Sequence, residues 1–267
     1  MKNANRSTLS IMRAAAVVMA VAVVQLLAEP AMDARAATSP VDVRIVTNAA
    51  GSKFVVNGED FMVFGMNWGY MPIGENYNYS LWTQPDDVIE DALAREMPLL
   101  QAMGVNVIRH YAGIPPRWVE HIYERYGIYT VVNHTMGRYG FTLDGVWHPS
   151  VDYSDPRMRA AITAEIVALV DEFKHTKGML FWLLGNENNY GLHWSSNEIE
   201  ALPEGQRDAA RARHLYSLFG DVTDAVKARD GRPVAIANGD LQYLDIIAEE
   251  CRNIDIFGSV SYTHLRA

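Results

Sequence analysis

The sequence predicts an α/β fold: an incomplete (β/α)8 TIM barrel of about six βα units, preceded by a short β-hairpin. Three observations carry that expectation. From residue 43 onward, short apolar runs alternate with amphipathic stretches, the pattern of parallel strands joined by helical crossovers. Nearly every apolar run ends in polar side chains: Asn67, Arg109-His110, Asn133-His134, Asn186-Glu187, and Asn238 with Asp240. No glycine-rich phosphate fingerprint follows the first run, which counts against a dinucleotide-binding sheet. An open sheet gathers polarity at one crevice, whereas a barrel brings the C-terminal end of every strand to one mouth.

The elements follow in order. Lys2, Arg6 and Arg13 form a positive leader before the small and apolar run 14–28, broken only by Gln25. The run is too short to span a bilayer comfortably, and Ala34-Arg35-Ala36 has the small-x-small form of a cleavage site. A signal peptide over 1–36 is expected, with export to the periplasm or outside the cell and no stable membrane insertion after cleavage. Residues 37–60 read as a leader and β-hairpin. The β-type runs 53–56 and 61–66 flank Asn57-Gly58, a dipeptide that tolerates the positive φ of a tight turn. A loop rich in Gly, Tyr, Asn and Pro then leads to Trp82.

Asp86 and Asp87 can cap a helix whose apolar stripe is Ile89, Leu93, Met97 and Leu100, with Gly104 as its stop. A strand over 105–108 and a helix over 115–126 closed by Gly127 come next, then a strand over 128–132. A long loop carries Trp147 and His148. Asp155-Pro156 opens a helix with Ile162, Ile166, Leu169, Val170 and Phe173 on one stripe, ended by Gly178. The run 179–184 is apolar throughout, as a strand covered on both faces should be. A helix around 209–229, a strand over 234–237, a helix over 241–250 and a strand over 254–257 complete the reading. The barrel domain is thus expected over 61–258.

The chain has 267 residues, 49% hydrophobic and 21% charged, which supplies a sizeable core and excludes a disordered protein. A net charge of −9 argues against a nucleic-acid partner, because phosphate binding needs clustered Lys and Arg. The single cysteine, Cys251, leaves no internal disulfide framework and no cysteine-based zinc site. Neither a cofactor nor a metal is expected.

The strongest chemical signal is Gly185-Asn186-Glu187 at the end of the apolar run. A carboxyl there is expected to be partly desolvated, which raises its pKa and suits it to proton donation; the alternative is a solvated loop glutamate. Trp68, Trp82, Trp147 and Trp194 fall in strand-end loops, where they either stack on sugar faces or pack the loops. His110, His134, Tyr111 and Asp240 are expected to point into the mouth as substrate-binding groups.

Gly185-Asn186-Glu187 resembles the fourth-strand ending of the clan A retaining glycoside hydrolases, most like the catalytic barrel of glycoside hydrolase family 2. The hairpin Phe54-Val55-Val56-Asn57-Gly58-Glu59 leading into Phe64-Gly65-Met66-Asn67 is similar to the entry into that barrel. Leu99 through Arg109 resembles its first helix and second strand, and Asn238-Gly239-Asp240 and Ile254-Asp255-Ile256-Phe257-Gly258 its fifth and sixth strands. The resemblance covers roughly residues 52–258. It implies an O-glycosyl hydrolase acting on an oligosaccharide or polysaccharide. Glu187 would be the general acid/base, Asn186 would bind the sugar hydroxyl beside the anomeric carbon, and Arg109 would support the nucleophile. Asn67, Trp68, His110, His134, Trp147, Trp194 and Asp240 would complete the substrate-binding set.

The same resemblance places the nucleophilic glutamate on a seventh strand, beyond the sixth with which this sequence ends. A C-terminally truncated piece of a longer gene, inactive by itself, is therefore expected, with residues 259–267 as a non-native tail. Two rivals remain from other classes. One is a non-catalytic carbohydrate-binding barrel. The other is a metal-dependent hydrolase using His110, His134 and His193, disfavoured because the first strand ends Asn67-Trp68-Gly69 without a histidine. Within the clan, a β-glucan transglycosylase or a family 5 endoglycosidase would use the same acid/base geometry.

Overall fold

The computed structural model describes residues 41–111 and 113–261. The expected signal over 1–36, the leader as far as residue 40 and the tail from 262 lie outside the described residues. The chain opens with a small antiparallel sheet of β1 (Val43–Asn48), β2 (Gly51–Val56) and β3 (Glu59–Phe61). Asn57 and Gly58 make the turn between β2 and β3 at φ 53° and 86°, the positive values the dipeptide was expected to supply.

A six-stranded parallel sheet follows, curled into half a barrel, in the order β11-β10-β9-β6-β5-β4. Its strands are β4 (Gly65–Asn67), β5 (Val107–His110), β6 (Tyr129–His134), β9 (Met179–Leu184), β10 (Val234–Gly239) and β11 (Ile256–Val260). The crossovers carry α1 (Asp86–Ala102), α2 (Pro116–Tyr126), α3 (Pro156–Phe173), α4 (Asn197–Glu200), α5 (Glu204–Lys227) and α6 (Leu244–Glu250). A two-stranded hairpin of β7 (Phe141–Leu143) and β8 (Val146–His148) stands between β6 and α3.

Local chemistry sets the boundaries. Pro116 suits the first turn of α2, and Gly127 ends it in the left-handed region at φ 66°. The Asp155 side chain accepts from the Arg157 N–H at 2.8 Å and so caps α3. At α1 the cap position falls to Pro85, and Asp86 and Asp87 sit in the first turn, where they favour the positive end of the helix dipole.

Two apolar clusters show what the sheet divides. Outside the curl, Ile108, Val132, Trp182, Leu184 and Ile236 pack against helix residues such as Ile89, Leu93, Ile122, Ile162 and Phe219. Inside it, Val107, Tyr129, Val131, Leu180, Leu183, Ala235 and Ala237 pack together with Val43 and Val56 from the small sheet. Phe54 meets Phe181 edge-on at 5.7 Å, and Phe61 meets Tyr129 at 5.4 Å. The small sheet thereby covers the N-terminal end of the curl and leaves the strands' C-terminal ends open. Between Thr130 and Val132 the register against β9 shifts, so Leu180 and Phe181 both belong to the inner side.

At the start of β10 a buried ion pair pins the layers. Arg232 and Asp230 both have fully buried side chains, 2.6 Å apart. The guanidinium donates to the carbonyls of Lys174 (3.0 Å) and Thr176 (3.2 Å), and Trp182 Nε1 donates to Asp230 at 3.0 Å. Burial lowers the Arg232 pKa, and the Asp230 charge opposes that shift.

Several boundaries differ from the sequence reading. The run 61–66 is split: Met62, Val63 and Phe64 are exposed, tied down by Asn106, which donates to Met62 O and accepts from Phe64 N, both at 2.8 Å. The loop around Trp147 contains the hairpin β7–β8, turned by Asp144-Gly145 at φ 49° and 80°. β11 runs through Ser259 and Val260, paired with Asn238 and Gly239, so the expected foreign tail begins inside a strand. No helix among the described residues is long and apolar enough to cross a membrane.

Candidate active site

Successive side chains of a strand face opposite sides, so each strand-end pair is divided between the curl and the helices. On β5, Arg109 shares the inner face with Val107, and His110 shares the outer face with Ile108. On β6, Asn133 shares the inner face with Tyr129 and Val131, and His134 falls with Val132. Arg109 and Asn133 meet at the open end of the curl. Arg109 Nε and Nη2 donate to Asn133 Oδ1 at 2.9 and 2.6 Å. Asn133 Nδ2 in turn donates to the carbonyls of Leu183 and Gly185, both at 3.1 Å.

The network continues into the β9 end. Arg109 Nη2 also donates to Asn186 Oδ1 at 2.9 Å, and Asn186 Nδ2 donates to the Tyr139 hydroxyl at 2.5 Å. The guanidinium lies 4.5 Å over the Tyr111 ring. Burial pulls the Arg109 pKa down, while Tyr111, Tyr139 and the Glu187 charge act in the opposite direction. Glu187 is therefore within electrostatic reach of Arg109.

The backbone holding Glu187 is unusual. Gly185 has φ 77°, and a Cβ there would lie 2.7 Å from both Asn188 Oδ1 and the Phe219 ring, so only glycine fits. Glu187 itself is left-handed, at φ 57° and ψ 42°. A non-glycine residue in that region costs about 1–3 kcal/mol and persists only where its surroundings over-determine it. Here the Glu187 N–H donates to Ala237 O at 2.9 Å, and its carbonyl accepts from Tyr190 N and Arg138 Nε, each at 3.0 Å. The buried Asn188 side chain accepts from Asn186 N at 2.9 Å and donates to the carbonyls of Thr135 and Met136 and to the Tyr153 hydroxyl. Burial pushes the Tyr153 hydroxyl up to about 12, which keeps it a neutral partner. Glu187, a half-buried residue, is thus carried on a hydrogen-bonded corner at the C-terminal end of β9.

The other expected site residues are scattered. Asn67 ends β4 beside Arg109, is exposed, and with it lines a cavity of about 320 Å³ inside the curl. His110 is turned to the outer side: its Nε2 accepts from Trp82 Nε1 at 2.8 Å, and Trp68 lies against it. Trp68 is only 6% exposed and belongs to the helix-side core. His134 faces α3, with Nδ1 accepting from Met136 N at 3.1 Å and Nε2 3.4 Å from Glu165. For both histidines the expectation of a mouth-facing ring is corrected by strand alternation. Trp194 is 4% exposed and edge-on to Tyr153 at 5.3 Å, so it is a packed residue with no free face. Trp147 stands on β8, 58% exposed, against Gly140, where a Cβ would run into its ring. Asp240, at φ 73°, accepts from Tyr190 OH at 3.0 Å and from Gln242 N at 2.6 Å.

Sequence reasoning gave no role to Asn133, Arg138, Tyr139 and Asn188, which build the corner. Asn133 was within reach: the alternation Tyr129, Val131, Asn133 places it opposite Arg109. Arg138 and Tyr139 lie in a loop, where no periodicity signals orientation. Among the described residues, no group of three or more His, Cys, Asp or Glu side chains could hold a metal ion.

No protein-family model matches the chain. Its sequence is 27% identical over 147 residues to a β-galactosidase of Arthrobacter sp., covering 54% of this chain and 13% of that protein. It is 25% identical over 238 residues to the 1,3-β-glucanosyltransferase gel2 of Aspergillus fumigatus, covering 85% of this chain and 45% of that protein. The chain thus spans less than half the length of either relative. Among solved structures, a Bacteroides uniformis β-glucuronidase superposes with a TM-score of 0.57 at 13% identity, covering 83% of this chain and 23% of that one. A Parabacteroides merdae β-glucuronidase gives 0.53 at 15% identity, covering 83% and 23%.

Proposed function

We propose that this chain is the acid/base part of a retaining glycoside hydrolase, in which the half-barrel is most of a (β/α)8 catalytic domain. The single observation that carries the reading is the β9 corner. Glu187 sits there in a held left-handed conformation, next to Asn186, whose amide is fixed by Arg109.

In this reading Glu187 protonates the oxygen of the departing sugar and then deprotonates the incoming water. Asn186 turns an N–H toward the hydroxyl beside the anomeric carbon, an interaction that strengthens as positive charge develops on the ring. Retention needs a second carboxylate about 5–5.5 Å from the first, acting as nucleophile. We assign it to a strand that would pair with the outer edge of β11, close enough for Arg109 to hold its charge. The sugar-binding set would add Asn67 and, through its exposed ring face, Trp147. With the stretch 1–36 read as an export signal, the reaction would take place outside the cytoplasm. Names of the relatives support the substrate class: a β-galactosidase by sequence and β-glucuronidases by fold.

A second reading within the same chemistry is transglycosylation, favoured by the glucanosyltransferase likeness across most of the chain. There the glycosyl-enzyme would be resolved by a sugar hydroxyl instead of water, with Glu187 in the same role. The test is to express the complete gene product and incubate it with β-glucosides, β-galactosides, β-glucuronides and β-1,3-glucan oligosaccharides. Shortened products with retained anomeric configuration support hydrolysis, and lengthened products support transfer. No change in any substrate, from a folded protein carrying a seventh-strand glutamate, would reject both.

A further inference from the structure

The hydrogen-bond polarity of the corner singles out a residue with no assigned part. Arginine can only donate, so the Arg109 contact at 2.9 Å fixes Asn186 with Oδ1 toward the guanidinium and Nδ2 away from it. Nδ2 must then donate to Tyr139, whose oxygen is the acceptor at 2.5 Å. A phenol that accepts through its oxygen still carries its own proton. Among the described residues no acceptor for that proton is found. Tyr139 is 59% exposed, so the proton is available to solvent or to a ligand bound beside Asn186. Its ring lies under Arg138, whose guanidinium is 5.4 Å from the ring centre and whose Nε donates to the Glu187 carbonyl. One dipeptide thus steadies the acid/base backbone and aims a hydroxyl beside Asn186.

The geometry points to Tyr139 as a substrate-binding residue that donates a hydrogen bond to a sugar oxygen next to the one read by Asn186. The second Nδ2 hydrogen of Asn186 and the Tyr139 O–H are two adjacent donors, matched to two adjacent acceptor oxygens. Vicinal sugar hydroxyls present such a pair. This assignment rests on the glycoside reading of the site and specifies which side chain reads the second oxygen.

The test compares the complete gene product with its Tyr139→Phe variant, using methyl β-glucoside, β-galactoside and β-glucuronide and their monodeoxy analogues. Affinity is read by NMR titration of the Asn186 side-chain amide. The substitution keeps the ring and the Arg138 contact and removes only the acceptor of Asn186 Nδ2, so stability should fall by no more than the scale of one neutral hydrogen bond. Binding of the preferred glycoside should weaken about tenfold, the scale of one lost hydrogen bond. One deoxy analogue, which binds the wild type poorly, should bind the variant no worse than the parent sugar does. A purely structural role would not abolish the penalty at one hydroxyl. If the wild type binds a glycoside and every deoxy penalty persists unchanged in the variant, Tyr139 is not a reader and the glycoside reading still stands. If the folded wild type binds none of the glycosides, the glycoside reading fails and this assignment falls with it.

Discussion

Asn133 is the residue on which the site's construction depends, and replacing it by alanine has a calculable consequence. Its amide makes four hydrogen bonds, two accepted from Arg109 and two donated to the carbonyls that close β9. The donated pair are neutral bonds worth about 0.5–1.5 kcal/mol each, and the shared acceptor of a charged partner about 1.5–3 kcal/mol. Water entering the open end of the curl offsets part of the loss, so Asn133→Ala should destabilise by about 3 kcal/mol, or roughly 6–12 °C in Tm for a domain of this size. Urea and thermal unfolding followed by circular dichroism measure it. Removing the cation as well, in Asn133→Ala/Arg109→Met, should cost less than the sum of the single changes by about 0.5–3 kcal/mol, because no charge is then left without its acceptor. A single-variant loss below about 1 kcal/mol, or strict additivity, would refute the claim that this amide holds Arg109 in place.

Other consequences are independent of the mouth. Asp230→Ala leaves the fully buried Arg232 guanidinium uncompensated and should cost about 3–5 kcal/mol, whereas Asp230→Ala/Arg232→Met should recover much of it; equal unfolding midpoints for the two variants would contradict this. Cys251 is buried, donates to Tyr216 O, and has its thiol pushed up to about 12 by burial and the Glu250 charge. Only the thiolate is a nucleophile, so iodoacetamide at pH 8 should modify Cys251 in urea and barely in the native protein. Rapid native labelling would show that α5 and α6 do not seal it.

Much of the fold was legible because its signals are local. The apolar run at β9, Asp155-Pro156 at the start of α3 and Gly127 after α2 each work within a turn or a strand. The hairpin β7–β8 carried the same kind of signal in Asp144-Gly145 and was passed over because its strands are only three residues long. In the candidate site, the placement of Glu187, Asn186 and Arg109 at strand ends was legible, because each polar residue follows a buried strand, and Arg109 meets Asn186 there. It was over-read at His110 and His134: neighbours on one strand cannot both face the mouth, and the apolar alternation of β5 and β6 already assigned the inner places to Arg109 and Asn133. Trp68 and Trp194 were over-read for a related reason, since a tryptophan after a strand is as well placed to pack under the helices as to meet a sugar. Arg138 and Tyr139 depend on a loop path that only the folded chain defines.

The most direct test of the account is the leaving-group dependence of Glu187→Gln in the complete gene product. Glutamine keeps the size of the side chain and removes its proton chemistry. Turnover of unactivated oligosaccharides, whose leaving oxygen needs a proton, should fall by about 10²–10⁴, and turnover of nitrophenyl glycosides, whose leaving group needs none, by much less. Equal losses for both substrates, or none for either, would contradict the assignment of Glu187 as the proton donor.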